Sequence, residues 1–332
     1  MLKLTDRPIL VLGDLILDEY IKGTATRLSP EAPVPVVNIK DSEYRLGGAA
    51  NVAANIRALG GNPITIGVLG DDNEAHQVAE LFRIHGMSTA GLIRTDLRRT
   101  TTKTRIMVNR QQIVRLDKEN THCVDQKTES DLNWRVQALA KGCAAVIISD
   151  YAKGFITPSL MTTVVYVIPP TTVPIFIDPK IQNAISYYGL PKHAITCMTP
   201  NLQEAQDLNS VHLSLRSNLS IEDAGNTIIR EYGCQYVLIT RGEDGMTLVE
   251  DTATYPPTKQ PYSAHHLPTA AQEVFDVSGA GDTVIAILAL ARVSGMEMLD
   301  AAKIANIAAG IVVGKSGTAT VSLDELCTAI GE

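Results

Sequence analysis

Between about residues 128 and 240 the sequence alternates regularly between helical patterns and short apolar runs. The helical patterns cover residues 128–141, 157–168, 201–208 and 220–232, and the apolar runs cover residues 145–149, 174–177, 194–198 and 236–240. Such alternation predicts parallel strands that are joined by right-handed crossovers, with helices on both faces of the sheet. We therefore expect a three-layer α/β fold with a mostly parallel central sheet. We also expect residues 1–332 to form a single domain, because no interdomain linker is evident.

A second group of strands is expected outside this main sheet. Residues 9–12 form an apolar run that stops at Gly13-Asp14, and strand patterns follow at residues 18–23, 34–39, 103–108 and 113–116. Prolines at positions 30, 33 and 35 separate the first two patterns, so we expect edge or exposed strands there. We predict that these strands, within about residues 14–45 and 100–118, form a small β-sheet lid over a cleft, with a turn at residues 109–111.

The composition argues against several classes of function. The formal net charge is −7, so no basic field would offset repulsion from the phosphates of a nucleic acid. The five cysteines are scattered, and none forms a Cys-x-x-Cys pair or a Cys/His cluster at metal-site spacing. The sequence shows no signal peptide and no apolar run long enough to span a membrane. We therefore expect a cytoplasmic protein with no dedicated metal motif, no nucleic acid partner and no membrane partner.

Polar residues follow five of the expected strands at the point where each strand stops. In parallel α/β sheets, binding sites lie at the carboxyl ends of the strands. Any one of these segments is more commonly a loop or a helix cap, but five on the same edge of the sheet favour a site. The segments are Gly13-Asp14, Ser149-Asp150, Asp178-Pro179-Lys180, Thr199-Pro200-Asn201 and Thr240-Arg241-Gly242.

A glycine-rich turn at residues 276–283 precedes an apolar helical run. Gly279 and Gly281 allow close backbone approach to a ligand, and the helix that begins there adds unpaired N–H groups, so the turn predicts an anion-binding cradle. Asp282 would repel a resting phosphate, which is explained if it acts as a general base during phosphoryl transfer. The alternative is an ordinary helix start in which Asp282 is a first-turn acid. This segment alone does not decide between the two.

A second motif at residues 47–53 (Gly-Gly-Ala-Ala-Asn-Val-Ala) changes that balance. Together with residues 276–283 it resembles the two signatures of the PfkB, or ribokinase-like, family of sugar kinases, and the resemblance extends over essentially the whole chain. It implies a ribokinase-like three-layer fold with a small β-sheet lid. Within the family, the most similar group is the D-glycero-β-D-manno-heptose 7-phosphate kinases of lipopolysaccharide core synthesis. The segments that carry this similarity are residues 28–37, 149–154, 177–180, 199–204 and 313–318.

The resemblance implies roles for the two motifs. Asp282 would accept the proton of the anomeric hydroxyl, while the N–H groups of the turn stabilise charge on the migrating phosphoryl group. The turn residues concerned are Gly279, Ala280 and Gly281. Asp14 and Asn51 would bind sugar hydroxyls with help from Asp18, and the glycine pair would permit close backbone approach; this pair is Gly47 and Gly48. The alternative for Asn51 and Asp18 is a purely structural polar residue.

A substrate that already carries a phosphate requires a cation at the sugar end of the cleft, because guanidinium and ammonium groups bind phosphate. We expect this cation among the basic residues of the lid strands and strand ends, with Arg105 and Lys153 as the first choices. Each candidate could instead be a solvated surface charge. The full set is Lys103, Arg105, Arg115, Lys153 and Lys180, and Asp150 is expected beside them as a further substrate-binding residue.

The resemblance implies ATP and Mg²⁺ as the other participants. Nucleotide binding is expected at Asn201, Leu202, Gln203 and Glu204, at Thr240 and Gly242, at Ser278, and at Asn306. Asn201 and Glu204 also have the spacing of a helix cap, and both roles can coexist. Mg²⁺ would be held mostly by ATP phosphates and water, with Glu204 acting through such a water. Ser278 stands where the most similar relatives usually carry Thr, which keeps the hydroxyl.

These implied roles lead to one expected reaction with two alternatives. We expect ATP-dependent phosphorylation of heptose 7-phosphate at the C1 hydroxyl, by a homodimer whose lids pack against each other. One alternative is another sugar or phosphosugar kinase of the family, similar to fructokinase or ribokinase. The other is a non-catalytic sugar or nucleotide sensor. Some relatives carry a nucleotidyltransferase with a His-x-Gly-His motif after the kinase, and no such motif occurs before Glu332, so we expect the kinase step only.

Overall fold

The fold contains a large sheet with helices on both sides and a separate smaller sheet. The structure, a computed structural model, describes residues 4–109, 111–170, 172–212, 219–252, 262–271 and 273–331. Within these residues the large sheet has nine strands and the small sheet has four. This arrangement confirms the expected three-layer α/β fold with a mostly parallel central sheet and a small second sheet.

The large sheet has the strand order β13-β12-β11-β10-β9-β8-β1-β4-β5. All of its neighbouring pairs are parallel except β11 with β12 and β12 with β13, which are antiparallel. The strands are β1 (Pro8–Gly13), β4 (Asn62–Gly70), β5 (Leu92–Thr95), β8 (Ala145–Ser149), β9 (Ile175–Asp178), β10 (Cys197–Met198), β11 (Tyr236–Thr240), β12 (Met246–Asp251) and β13 (Tyr262–Leu267).

Helices cover the two faces of this sheet and create two hydrophobic cores. In β1, Ile9 and Val11 point to one core, while Leu10 and Leu12 point to the other, as alternation along a strand requires. The first core packs against α1 (Ala49–Ala58), α2 (Asn73–Ile84), α8 (Ala280–Val293), α9 (Met298–Val313) and α10 (Leu323–Ile330). The second packs against α3 (Gln126–Leu139), α4 (Pro158–Val167), α5 (Ala184–Tyr187), α6 (Leu202–His212) and α7 (Ile221–Tyr232). Among the helices of the described ranges, none is both long and apolar enough to cross a membrane.

The small sheet has the order β3-β2-β6-β7. Its strands are β2 (Leu15–Leu28), β3 (Pro35–Gly48), β6 (Thr101–Val108) and β7 (Gln111–Lys118). The expectation of an edge or exposed strand at residues 18–23 was wrong, because β2 pairs with β3 on one side and with β6 on the other. The prolines that suggested an edge lie outside β2, in the connection to β3 and at its first residue. The turn expected at residues 109–111 includes Arg110, which lies outside the described residues.

Two elements differ from the expectation for residues 194–198 and 201–208. Only Cys197 and Met198 form ladder pairs with both neighbouring strands, so β10 is shorter than its apolar run. Helix α6 continues to residue 212, beyond the expected end at residue 208. In addition, the edge strand β5 and the last helix α10 were not expected at all. Both lie at the periphery of the fold, so these differences leave the strand-end edge of the sheet unchanged.

The register of the sheet brings three strand ends together. Gly13 of β1 pairs with Ser149 of β8, and Ser149 pairs with Asp178 of β9. A side chain at Gly13 would collide with the carbonyl oxygen of Ser149, so the two strand ends lie backbone to backbone. Strand β2 begins two residues after β1 ends, which places the small sheet directly over this edge. The fold therefore forms a cleft between the strand ends and the small sheet.

Candidate active site

The glycine-rich turn lies at the start of α8, as its sequence predicts. Gly279 has a φ of 80°, a left-handed conformation that favours glycine, and any side chain there would approach Asn51 Nδ2 to 2.6 Å. Asp276 stabilises the turn, because its carboxylate accepts hydrogen bonds from the N–H groups of Ser278 and Gly317, both at 2.9 Å. The N–H of Ala280 donates to the carbonyl of residue 277 at 3.2 Å, so one of the three expected donors is already engaged in the turn.

Asp282 lies in the first turn of α8 and is almost completely buried, with 1% of its surface exposed. Its Oδ2 accepts a hydrogen bond of 2.8 Å from Asn51 Nδ2, and its Oδ1 accepts one of 2.8 Å from the hydroxyl of Tyr151. A further bond of 3.2 Å from Thr283 to Asn55 joins α8 to α1 below the site. Elements that are distant in the sequence therefore fix the carboxylate of Asp282 on both sides.

Burial raises the pKa of Asp282 to about 7. The hydrogen bonds from Asn51 and Tyr151 act in the opposite direction, Asp18 raises the pKa further, and Lys180 lowers it. A carboxylate with a pKa near neutrality is a suitable general base, because it is partly ionised at pH 7 and still basic enough to accept a proton. The environment of Asp282 therefore has the electrostatics that the proposed chemistry needs.

A second buried carboxylate, Asp178, lies at the end of β9 beside this turn. Burial raises its pKa to about 8, and the nearby carboxylates of Glu204 and Asp282 raise it further, while Lys180 lowers it. Asp178 is close to the cradle, because a side chain at Gly281 would stand 3.9 Å from its Oδ2. The sequence identified Asp178 only as a strand-end residue, since nothing in the local pattern shows that its side chain meets α8.

Lys180 lies between Glu204 of α6 and Tyr151 of the loop after β8. Its ammonium group forms an ion pair with Glu204 and lies 5.6 Å from the centre of the Tyr151 ring. Glu204 in turn accepts from the Asn201 N–H at 2.8 Å, and its own N–H donates to Asn201 Oδ1 at 2.9 Å. The helix-cap geometry that the sequence allowed at these two residues is therefore present. The neighbouring side chains Leu202 and Gln203 are exposed on α6, so the structure does not bring them to Lys180.

A cavity of about 430 Å³ lies on the other side of the cradle, between the end of β11 and helices α8 and α9. Apolar and small residues form most of its wall, as in sites for a planar ring. Asn306 contributes one polar group and is oriented by a 2.7 Å hydrogen bond to the carbonyl of Pro268. Of the residues that the sequence predicts for the site, five line this cavity and Ser278 does not. The five are Thr240, Gly242, Ala280, Gly281 and Asn306.

Asp14 holds the loop that follows β8. Its carboxylate accepts hydrogen bonds from the N–H groups of Tyr151 at 2.9 Å, Lys153 at 3.1 Å and Phe155 at 3.3 Å. Burial and the neighbouring Asp150 raise the pKa of Asp14 to about 6, against these bonds. Asp14 is 5% exposed at the cleft. It therefore shapes the site in addition to the sugar contact expected for it.

Asp150 is fully buried and is surrounded by donors. Its oxygens accept from the Ala152 N–H at 2.8 Å, the Lys180 N–H at 3.2 Å, Asn183 Nδ2 at 2.8 Å and the Tyr187 hydroxyl. A carboxylate with no exposed surface and four partners has no face left for a ligand. This geometry corrects the expectation of a substrate-binding residue and favours a structural role for Asp150.

The glycine pair packs the small sheet against the strand ends. A side chain at Gly47 would collide with Asp18 Oδ2, and one at Gly48 would collide with the carbonyl oxygen of Asp14. Asp18 is 2% exposed and pairs with Arg105, whose guanidinium lies 5.2 Å from the centre of the Tyr20 ring. The glycines therefore allow β3 to pack closely against the carboxylate of Asp18 and the backbone of Asp14, two residues that are expected to bind the sugar.

Strand register places the lid cations on one face. Asp18 of β2 is opposite Lys103 of β6, which is opposite Asp117 of β7, while Arg105 is opposite Arg115. Arg115 is half exposed and donates two hydrogen bonds to Asp117, at 2.8 and 3.0 Å. Lys103 is 3.6 Å from the same carboxylate and is only 17% exposed. Lys103 is thus the less firmly held of the two cations that share Asp117.

Lys153 belongs to the loop that follows β8 and not to the lid strands. Its ammonium group pairs with Glu119 at 2.8 Å, just beyond the end of β7. The expected first choices for the phosphate, Arg105 and Lys153, are therefore both engaged with carboxylates. In the ranges that the structure describes, no cluster of three or more His, Cys, Asp or Glu side chains has the geometry of a metal site.

Comparison with known proteins relates this chain to carbohydrate kinases. Residues 8–326 match the family model described as pfkB family carbohydrate kinase. The chain is 40% identical over 321 residues to the bifunctional protein HldE of Pelobacter propionicus, a match that covers 97% of this chain and 62% of that protein. It is 39% identical over 325 residues to the bifunctional protein HldE of Granulibacter bethesdensis, covering 98% and 65%. The chain thus spans less than two thirds of the length of these relatives.

Solved structures share the fold at low sequence identity. The phosphofructokinase-2 of Escherichia coli in complex with substrates and products matches with a TM-score of 0.76 at 16% identity, covering 98% of both chains. A ribokinase of Arabidopsis thaliana complexed with ribose and ATP matches with a TM-score of 0.68 at 17% identity, covering 99% of this chain and all of the other.

The raised pKa of Asp282 predicts a pH-dependent cost to stability. Between pH 3.8 and about pH 7, Asp282 keeps a proton in the folded state that it has released in the unfolded state. The free energy of unfolding of the wild type therefore falls as the pH rises through this window. At about 1.4 kcal/mol per pKa unit, Asp282 should remove on the order of 2 kcal/mol between pH 5 and pH 7.5. The Asp282→Asn variant should not show this pH-dependent loss of stability, because an amide does not titrate in this range. The Tyr151 hydroxyl can accept a hydrogen bond from the new amide.

Chemical denaturation at pH 5 and pH 7.5 measures this effect. We expect the variant to gain stability relative to the wild type as the pH rises, whereas an Asp41→Asn control at an exposed position changes in parallel with the wild type. Parallel pH dependences for wild type and Asp282→Asn would contradict the assigned ionisation of Asp282.

Proposed function

This chain belongs to the pfkB family of carbohydrate kinases, and from that premise we propose that it phosphorylates D-glycero-β-D-manno-heptose 7-phosphate at the C1 hydroxyl. ATP is the proposed donor, the product is the 1,7-bisphosphate, and the reaction is the kinase step of ADP-heptose and lipopolysaccharide core synthesis in the cytoplasm. The relatives named bifunctional protein HldE support a sugar kinase, because they match nearly the whole chain at about 40% identity. The choice of heptose 7-phosphate rests on the segments that resemble the heptose 7-phosphate kinases.

One observation carries the proposal. The buried carboxylate of Asp282 stands in the first turn of α8, directly after Ala280 and Gly281, which line the cavity of about 430 Å³, and it is hydrogen-bonded to Asn51 and Tyr151. Asp282 accepts the proton of the C1 hydroxyl, and the C1 oxygen forms its bond to the γ-phosphorus while the bond from that phosphorus to the β–γ bridging oxygen breaks and ADP leaves. The N–H groups of the first turn of α8 stabilise the charge on the transferring group.

The residues present also fit Mg²⁺. Asp178 and Glu204 are carboxylates beside Lys180, and hard oxygen donors of this kind suit Mg²⁺ that is otherwise bound by phosphates and water. When bound, the ion supplies charge neutralisation on the phosphates. Lys180 lies between Glu204 and Tyr151, so it can contribute positive charge on the side of the transferring group.

The face of the lid toward the cleft supports a phosphorylated acceptor. Arg45 of β3, Lys103 and Arg105 of β6, and Arg115 of β7 share this face with Asp18 through the strand register. Arg105 is fixed by Asp18 and can use its remaining N–H groups, because a guanidinium has five donors. The ion pair that Lys103 would exchange for a phosphate is a long one, 3.6 Å to Asp117. We propose that Lys103 and Arg105 bind the 7-phosphate.

The exposed edge strands of the lid support a homodimer. Within the described residues no further strand pairs with β3 or β7, and both carry exposed apolar side chains at Ile39, Val114 and Leu116. Open edges of this kind are normally covered. Packing of two lids would cover them, so we propose that the protein is a dimer through its lid strands.

A panel of acceptors tests the proposed reaction through ADP release. We expect turnover with D-glycero-β-D-manno-heptose 7-phosphate at least about a hundredfold above that with unphosphorylated heptose, ribose or fructose, because only a phosphosugar satisfies the lid cations and the base together. Fructose 6-phosphate is included as a second phosphosugar. Faster turnover with another sugar than with the heptose 7-phosphate would contradict the proposed substrate. Nucleotide binding without turnover on any sugar would indicate a sensor.

Lys103→Met tests the proposed phosphate subsite. We expect the KM for the phosphosugar to rise about tenfold or more, since a charge-assisted hydrogen bond is lost, while the KM for ATP changes less than about twofold. Lys118→Met is the matched control, because Lys118 is also a paired lid lysine but bonds to Glu74 on α2. Equal effects of the two substitutions on the phosphosugar KM would contradict the assignment of Lys103.

Sedimentation velocity tests the dimer. We expect the wild type to sediment as a dimer at micromolar concentration, and we expect a variant with Val114→Lys and Leu116→Lys to sediment as a monomer, because two buried charges would oppose lid packing. Trp134→Lys is a control at an exposed apolar residue of α3 and should remain dimeric. A monomeric wild type, or a dimer that persists in the double variant, would contradict the proposal.

A further inference from the structure

We propose that Tyr151 is a positioning residue for the general base: its hydroxyl holds Asp282 so that the free lone pairs of the carboxylate face the acceptor hydroxyl. The proposal rests on the proposed function of Asp282. Tyr151 comes from the loop after β8, which is 131 residues away from Asp282 in the sequence, and it donates to Oδ1 at 2.8 Å. Its phenol is the group on that side of the carboxylate that supplies a proton donor.

The hydroxyl of Tyr151 completes a two-sided restraint. The torsion that rotates a carboxylate about its last carbon–carbon bond is broad and weakly restricted by itself. In this site Asn51 donates to one oxygen of Asp282 and Tyr151 donates to the other, both at 2.8 Å, so rotation would break at least one bond. Each oxygen retains a lone pair for the acceptor. Without Tyr151, only the bond from Asn51 would set the plane of the carboxylate.

The loop that carries Tyr151 is itself held from two sides. Asp14 accepts from the N–H groups of Tyr151 and Lys153, and Asp150 accepts from the N–H of Ala152. Ala152 has a φ of 55°, a conformation that an alanine adopts only when its surroundings impose it. Two buried carboxylates therefore stabilise an unfavourable backbone whose effect is to direct the Tyr151 side chain toward α8.

The ring of Tyr151 has a second fixed contact. The Lys180 ammonium lies 5.6 Å from the ring centre, which is within the range of a cation–π interaction. Burial and the charge of Asp282 raise the pKa of Tyr151 well above its ordinary value, so the phenol keeps its proton and remains a donor at neutral pH. Tyr151 therefore acts through hydrogen bonding and does not itself titrate in the working range.

Several charged groups face Asp282 and determine how Tyr151 affects it. Asp18 approaches from β2, Lys180 from the loop after β9, and Asp178 from the end of β9. Burial and Asp18 disfavour the ionised carboxylate, and Lys180 with the two hydrogen bonds favours it. Removing the Tyr151 hydroxyl eliminates one of the favourable contributions, so the carboxylate should ionise at higher pH.

Tyr151→Phe tests the proposal in the intact 332-residue chain. We expect kcat to fall about tenfold to a hundredfold, with both KM values within about threefold, because the lost interaction acts on the base. We also expect the acid limb of the kcat/KM profile to move upward by about half to one pH unit. The midpoint of the Asp282 titration should also move to higher pH when the ¹³C carboxyl signal is followed in labelled protein without substrate.

Tyr187→Phe is the matched control, because Tyr187 also donates its hydroxyl to a buried carboxylate, that of Asp150, but does not contact Asp282. We expect this variant to lower the melting temperature and to leave the acid limb and the Asp282 titration unchanged. A Tyr151→Phe protein with an unmoved Asp282 titration, or with wild-type kcat, would overturn the proposal. The titration needs no substrate, so it decides the role of Tyr151 even if the acceptor panel identifies a different sugar.

Discussion

The structure depends on the burial of one ionisable group, Asp282, at the start of a helix. An isolated carboxylate in such surroundings favours its neutral form, and here the pKa of Asp282 rises to about 7. Two hydrogen bonds and a helix N-terminus keep the ionised form accessible. Gly279 is required because any side chain there would displace Asn51 from this carboxylate. The geometry of the site therefore follows from the need to hold one acid close to ionisation.

Three further carboxylates near Asp282 are buried in a similar way. Asp14, Asp150 and Asp178 are also buried at the strand ends, and burial raises the pKa of each. Asp14 and Asp150 accept loop N–H groups, while Asp178 stands beside Lys180 and the cradle. Grouped buried acids reduce stability at neutral pH, which is an expected cost where charge must be available to a ligand. The small sheet adds cations on the opposite side of the cleft.

The sequence predicts the main sheet and the glycine turn at the start of α8 because both leave local signals, namely alternation of apolar runs and closely spaced glycines before a helix. Tyr151 left no such signal, since its role arises from a contact across 131 residues. The sequence does not distinguish Lys103 from Arg105 and Lys153 as a candidate phosphate ligand, because they differ in ion-pair partners that only the fold brings together. The last helix also carries a local signal, a capping box from Ser322 to Glu325.

The most direct test of the account is the turnover of Asp282→Asn with ATP and the phosphosugar, in protein checked by mass spectrometry for reversion to aspartate. Because the amide cannot accept the hydroxyl proton, we predict that kcat falls about a hundredfold to ten-thousandfold while the affinity for nucleotide changes by less than about threefold. A correctly folded Asp282→Asn protein that phosphorylates the sugar within a factor of about two of the wild-type rate would contradict the assignment of Asp282 as the base.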